Sequence, residues 1–112
     1  MTPGWQARLW FAQRASAMAL AVLLLVHMAG MFWAVRGGLS AAEILERTRG
    51  SAWALTLYGT MVLASAIHAP IGIMRICEEW LGFRGRAMWA AMTLLGAALF
   101  LLGSAAVWGL VR

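Results

Sequence analysis

Apolar residues fall into three long runs along this chain, and short polar segments separate the runs. The runs cover residues 15–35, 50–74 and 87–111, and none of them contains a charged side chain. A helix needs about 20 apolar residues to cross the hydrocarbon core of a bilayer. The pattern therefore predicts an all-α integral membrane protein, a single domain over residues 1–112, with transmembrane helices at about 13–35, 51–77 and 87–111.

The polar segments predict how these three helices are connected. Residues 1–14 combine aromatic side chains with two arginines, which is typical of a short interfacial segment at the membrane surface. In the first connection, Ser40 and Glu43 have the spacing of a capping box, so we expect a short polar helix outside the hydrocarbon. The second connection, residues 78–86, is short and contains two glycines.

The third predicted helix differs from the other two because it has no ionisable residue inside its apolar run. Gly96, Gly103 and Ala106 instead form a stripe of small residues. Small residues at these spacings let membrane helices approach closely. We therefore expect this helix to have a structural role.

The charge composition excludes several classes of function. Charged residues make up 12% of the chain, about half of their usual share in soluble proteins. The nine basic residues are all arginines, and most lie at the ends of the apolar runs, as interface anchors do. They do not form a patch for nucleic acid. Cys77 is the single cysteine, which excludes an internal disulfide and a multi-cysteine metal site.

His68, near the end of the second predicted helix, is the first candidate functional residue. An ionisable ring inside a membrane segment costs free energy and points to a functional site. Imidazole is also an axial ligand of haem iron. Arg75 lies about two turns further along on nearly the same face, about 10 Å away, where it would suit a haem propionate or a quinone oxygen. Gly72 leaves room beside the ring for a flat cofactor.

His27 is the ionisable residue inside the first predicted helix, and Gly30, one turn later, leaves room for a flat cofactor or another helix. Because the first two helices are antiparallel, the imidazoles of His27 and His68 should lie on the order of 14 Å apart along the membrane normal. They cannot both ligate one haem. Each would need a partner histidine from another chain, which predicts two haem b groups shared with a second anchor chain.

Several features together resemble the small membrane-anchor subunits of succinate dehydrogenase and fumarate reductase, and the resemblance covers nearly the whole chain. The most specific is the block from His68 to Gly72, with the acidic-aromatic pair Glu79-Trp80 after it. The others are the Arg14-Ala15-Ser16-Ala17 entry to the first helix, the ending Val107-Trp108-Gly109, and three helices in 112 residues.

The resemblance implies roles for individual residues. His68 would be an axial ligand of haem b, and Arg14, Ser16, Glu79 and Trp80 would contribute to a quinone site beside the iron–sulfur subunit. Trp80 stands where the family usually has tyrosine, and its indole N–H can only donate. His27 has no equivalent in the common one-haem anchors, but it resembles the first-helix histidine of the two-haem forms.

The function implied by the resemblance is that of a non-catalytic electron-transfer subunit of a succinate:quinone oxidoreductase. Such a cytochrome b anchor would hold a flavoprotein subunit and an iron–sulfur subunit on the membrane, together with a second anchor subunit of identical or different sequence. It would pass electrons between the iron–sulfur clusters and quinone. The expected location is the lipid bilayer of a bacterial inner membrane, with the N-terminus and residues 78–86 in the cytoplasm.

Two other functions are open at this point. One is the cytochrome b subunit of another quinone-linked oxidoreductase, such as a hydrogenase or a formate dehydrogenase. The other is a haem-free structural or transport subunit. The absorption spectrum of the purified complex would separate the haem-free function from the other two, and the co-purifying subunits would separate those two from each other.

Overall fold

A computed structural model of the chain describes residues 2–112, and it has no strand within them. The helices are α1 (Pro3–Gly37), α2 (Ala41–Thr48), α3 (Ala52–Ile76) and α4 (Arg86–Val111), and a π-helical turn (Cys77–Leu81) extends α3. Three of the helices, α1, α4 and α3 with its π-helical turn, are long and apolar enough to cross a membrane. The predicted all-α class and the three predicted transmembrane helices are therefore confirmed.

Helix α1 begins earlier than predicted, because the N-terminal aromatic segment belongs to it. The hydroxyl of Thr2 caps the helix by accepting a hydrogen bond from the backbone N–H of Trp5 at 3.3 Å, and Pro3 occupies the first helical position, which proline favours. A helix of 35 residues is about 52 Å long, whereas the hydrocarbon core is about 30 Å thick. The expected separate interfacial segment is thus replaced by an extension of α1 beyond the core.

The predicted polar helix in the first connection is α2, and it begins with the predicted capping box. The backbone N–H of Ser40 donates to Glu43 Oε2 at 2.9 Å, and the backbone N–H of Glu43 donates to Ser40 Oγ at 3.2 Å. Hydrogen bonds from the side chain and the backbone of Ser40 lower the pKa of Glu43 below its ordinary value, and Arg47 lowers it further. Arg47 also donates to the carbonyl of Gly38 at 2.7 Å, which ties α2 to the end of α1.

The end of α2 and the segment after it are joined to the C-terminal end of α4. Thr48 Oγ1 donates to the carbonyl of Leu110 at 2.8 Å, and the backbone N–H of Gly50 donates to the carbonyl of Val111 at 2.7 Å. The last carbonyls of a helix have no partner within the helix. The first connection therefore supplies partners for carbonyls that α4 leaves free.

Helix α3 is the central helix, since it packs against both α1 and α4. A Cβ at Gly103 of α4 would lie 2.7 Å from Val62 Cγ1, and one at Gly96 would lie 3.2 Å from the carbonyl oxygen of Ala66. Proline has no N–H, so Pro70 leaves this Ala66 carbonyl without its usual helical donor. The close approach of α4 at Gly96 and Gly103 confirms that two of the three predicted stripe residues serve helix packing.

Large apolar side chains are exposed along all three long helices, while few residues are fully buried. The main buried cluster consists of Leu9, Met74 and Met88, at the end of the bundle where α1 begins. Trp5 and Trp89 also pack together there, with ring centroids 6.1 Å apart. The outer surface of the bundle is apolar enough to face lipid or other membrane helices.

Candidate functional site

The first polar contact between the transmembrane helices joins Ser16 of α1 to His68 of α3. Ser16 is 6% exposed, and its Oγ lies 3.4 Å from His68 Nδ1, at the long end of the hydrogen-bond range. The same Oγ donates to the backbone carbonyl of Gln13 at 3.1 Å. Two residues that the sequence analysis selected for different roles are thus brought into contact.

Gln13 lies beside this contact, and the sequence analysis did not select it. A Cβ at Gly72 would lie 3.1 Å from Gln13 Nε2, so Gly72 faces α1 and the amide of Gln13. Gln13 Oε1 is buried and has no hydrogen-bond partner among residues 2–112. The three-residue spacing between Gln13 and Ser16 was the available signal, because it places both side chains on one face of the helix.

His27 forms the second polar level of the bundle, and its neighbour on α3 is Tyr58. The two rings meet edge to face, with centroids 5.5 Å apart and an interplanar angle of 79°. His27 Nδ1 is buried and has no hydrogen-bond partner within residues 2–112. Tyr58 was missed because the sequence does not give the register of α1 against α3.

A cavity of about 450 Å³ opens beside His27. Its lining includes Gly30, Tyr58 and Arg47. A Cβ at Gly30 would meet no atom within 4 Å, so this glycine borders open space. His27 itself lines the cavity, so a group bound there would lie beside the imidazole ring.

The two histidines lie at two separate levels along the bundle. His68 is level with Ser16, and His27 is level with Tyr58. Eleven residues separate the two levels on α1, and ten residues separate them on α3, which corresponds to about 15 Å. This spacing agrees with the 14 Å expected from the sequence, so the two imidazoles cannot reach one metal ion.

Arg75 is paired with an acidic side chain at the end of α3. Its Nη1 lies 3.2 Å from Glu78 Oε2, in an i,i+3 ion pair. Glu78 was not selected from the sequence as the partner of Arg75. The role of Arg75 at a propionate or a quinone stays a prediction, and the ion pair holds its guanidinium at this end of the bundle.

The other predicted quinone contacts are exposed, and they lie at the same end. Arg14 lies over the ring of Trp10, with its Cζ 5.3 Å from the centroid. Glu79 and Trp80 belong to the π-helical turn rather than to an irregular link. Both Arg14 and the pair Glu79-Trp80 lie between the contact of Ser16 with His68 and the end of the bundle. Glu79 and Trp80 are about 13 Å closer to that end than Arg14 is. No hydrogen bond within residues 2–112 joins any of these three side chains to another.

These features define a class of membrane subunit with three spanning helices and polar side chains at two levels between the first two. Residues 2–104 match the family of succinate dehydrogenase/fumarate reductase transmembrane subunits, and the chain belongs to this family. It is therefore a multi-pass membrane anchor of such a complex, and its partners include the membrane and other subunits. No curated protein and no solved structure matches the chain.

Proposed function

We propose that this chain is the cytochrome b subunit of a succinate:quinone oxidoreductase, and that His68 is an axial ligand of haem b through Nε2. The observation that carries the proposal is the contact between Ser16 and His68. Nδ1 of His68 faces the Ser16 hydroxyl, whereas Nε2 has no hydrogen-bond partner among residues 2–112. A ring that is held through one nitrogen and free at the other is typical of histidines that bind metals.

The second axial ligand would come from another chain. His27, the other histidine of the chain, lies about 15 Å away along the bundle, too far to bind the same iron. The exposed apolar faces of the helices leave room for a second anchor subunit that supplies a histidine at the level of His68. When bound, haem b supplies a site for one electron on the path between the iron–sulfur clusters and quinone.

A second haem is proposed at the level of His27. The support is the open space at Gly30 and the adjoining cavity, whose lining includes His27. Because this level lies about 15 Å from His68, the second haem would need its own partner ligand. His27 would bind and orient the group, and Tyr58 would pack against the imidazole ring.

The proposed quinone site lies at the end of the bundle where α1 begins, and it has an inner and an outer part. Arg14 and Ser16 are near the level of His68, and Glu79 and Trp80 lie about 13 Å further out. A quinone oxygen at the inner level could accept from the Arg14 guanidinium. This end would face the iron–sulfur and flavoprotein subunits on the cytoplasmic side of a bacterial inner membrane.

The test of the proposed function is His68→Ala in the purified complex, with Thr60→Ala as the matched control. Thr60 is on the same helix, and its exposed hydroxyl donates to its own helix at the Thr56 carbonyl. We expect His68→Ala to remove a b-type signal from the reduced-minus-oxidised spectrum, and Thr60→Ala to retain it. An unchanged spectrum in His68→Ala would contradict haem ligation, and a wild-type complex without any haem would support the structural alternative.

A further inference from the structure

We propose that Ser16 is a positioning residue that fixes the protonation and the orientation of the His68 imidazole, so that Nε2 presents its lone pair to the metal. This inference rests on the proposed function of His68. It gives Ser16 a role beyond its expected place in the quinone site. The role follows from the hydrogen bonds of the Ser16 hydroxyl and from its burial.

The hydroxyl of Ser16 has one proton to donate, and the carbonyl of Gln13 receives it at 3.1 Å. Toward His68 the oxygen can then only accept, because a serine hydroxyl has one donor and two lone pairs. The tautomer that satisfies both contacts of the Ser16 hydroxyl therefore has the proton on His68 Nδ1, which donates to the Ser16 oxygen at 3.4 Å. In a neutral imidazole with the proton on Nδ1, the lone pair lies on Nε2, which is the nitrogen that the described residues leave free.

The position of Ser16 makes this arrangement difficult for solvent or lipid to replace. Ser16 is 6% exposed, so no water can easily take over the hydrogen bond to the ring. Gln13 and Ser16 both belong to α1, which packs along α3. Because the acceptor belongs to one helix and the ligand to another, the contact also fixes the direction in which the ring points.

A hydrogen bond accepted from the second ring nitrogen makes a metal-bound imidazole more basic. A more basic ligand stabilises the oxidised, more positively charged iron over the reduced iron. Loss of the Ser16 hydroxyl should therefore make the haem easier to reduce. A serine that served only for packing, or only as a quinone contact, would not have this effect on the haem.

The experiment is a redox titration of the haem in the purified complex, in the wild type and in Ser16→Ala, Ser16→Thr and Ser16→Val. Threonine and valine have nearly the same shape, so their difference isolates the hydroxyl from the added methyl group. At a fixed ambient potential, we expect the ratio of oxidised to reduced haem to fall about tenfold in Ser16→Ala. For a one-electron couple, this change corresponds to a positive shift of about 59 mV in the midpoint potential of the haem. Ser16→Val should behave like Ser16→Ala, and Ser16→Thr should stay close to the wild type.

The outcomes separate this inference from the proposed function. If His68→Ala retains all haem, the proposed ligand is wrong and the inference falls with it. If His68→Ala loses haem while Ser16→Ala keeps the wild-type potential, the ligand stands and the positioning role is overturned, even if quinone-linked turnover falls. Equal shifts in Ser16→Thr and Ser16→Val would also overturn it, because the shift would then come from the shape of the side chain. If neither Ser16→Thr nor Ser16→Val assembles, the inference is tested by the haem potential of Ser16→Ala compared with that of the wild type.

Discussion

At the scale of single residues, the contact between Ser16 and His68 joins α1 to α3 at the level of the proposed haem ligand. A histidine in an apolar run is conspicuous because its burial is costly, and Ser16 belongs to the entry pattern of the first helix. The partners Gln13, Tyr58 and Glu78 were missed. Gln13 and Tyr58 are polar residues whose roles depend on how α1 and α3 are aligned, and the apolar pattern predicts helices without fixing that alignment.

Arg14 provides a prediction at the same scale, on quinone-linked activity. We expect Arg14→Ala to slow turnover with quinone several times more than turnover with a soluble artificial acceptor, because a guanidinium near the His68 level would bond a quinone oxygen. The comparison is made on the assembled complex with both acceptors. Arg8→Ala is the control, since Arg8 is another exposed arginine on α1, and it should leave the ratio of the two activities unchanged.

Equal losses with the two acceptors in Arg14→Ala would point to a defect in assembly. Such a result would count against a quinone contact at Arg14. It would also leave the outer pair, Glu79 and Trp80, as the remaining candidates from the predicted site.

At the scale of the helices, length and apolarity were enough to predict the three membrane-spanning helices. They were not enough to predict where the first of these helices begins. The predicted start of the first helix near residue 13 followed the change from polar to apolar residues. The backbone follows the cap at Thr2 and Pro3 instead, so α1 begins ten residues earlier. At the same end of the bundle, the π-helical turn continues the helical path from α3 to Gly82, whose positive φ of 63° ends it.

The packing of α4 against α3 gives a prediction about two glycines of the same helix. A Cβ at Gly103 would approach Val62 Cγ1 to 2.7 Å, but one at Gly109 would meet no atom within 4 Å. We expect Gly103→Ala to destabilise the subunit by about 1–3 kcal/mol through overpacking. Gly109→Ala should stabilise it slightly, or leave it unchanged, because alanine favours helix over glycine.

Thermal unfolding of the purified complex in detergent measures both glycine variants under the same conditions. A lower midpoint for Gly103→Ala, with no decrease for Gly109→Ala, is the expected result. If both variants unfold at the wild-type temperature, the contact between Gly103 and Val62 does not limit the stability of the bundle.

At the scale of the whole molecule, the two polar levels predict the number of haems. We expect two b haems per complex, and the loss of one in His27→Ala, because the imidazoles of His27 and His68 are about 15 Å apart and cannot share an iron. Pyridine haemochrome analysis gives the count for the wild type and the variant. Tyr58→Phe is the control, since it keeps the ring that packs against His27 and should retain both haems.

One haem in the wild-type complex, or two haems that both survive His27→Ala, would make His27 a packing residue. The sequence predicted a separation of about 14 Å between the two histidines, and the structure places their levels about 15 Å apart, because rise per residue and antiparallel order determine this separation. The sequence did not reveal the cavity beside His27, since residues from α1, α2 and α3 all line it.

The hydrogen bonds from Thr48 and Gly50 to the last carbonyls of α4 have a consequence for the biogenesis of the subunit. The connection between α1 and α3 precedes α4 in the chain, so it is synthesised before α4 exists. Its bonds to the carbonyls of Leu110 and Val111 can form only after the final helix has been inserted. Closure of the bundle at that end is therefore a late event, which follows the synthesis of the last helix.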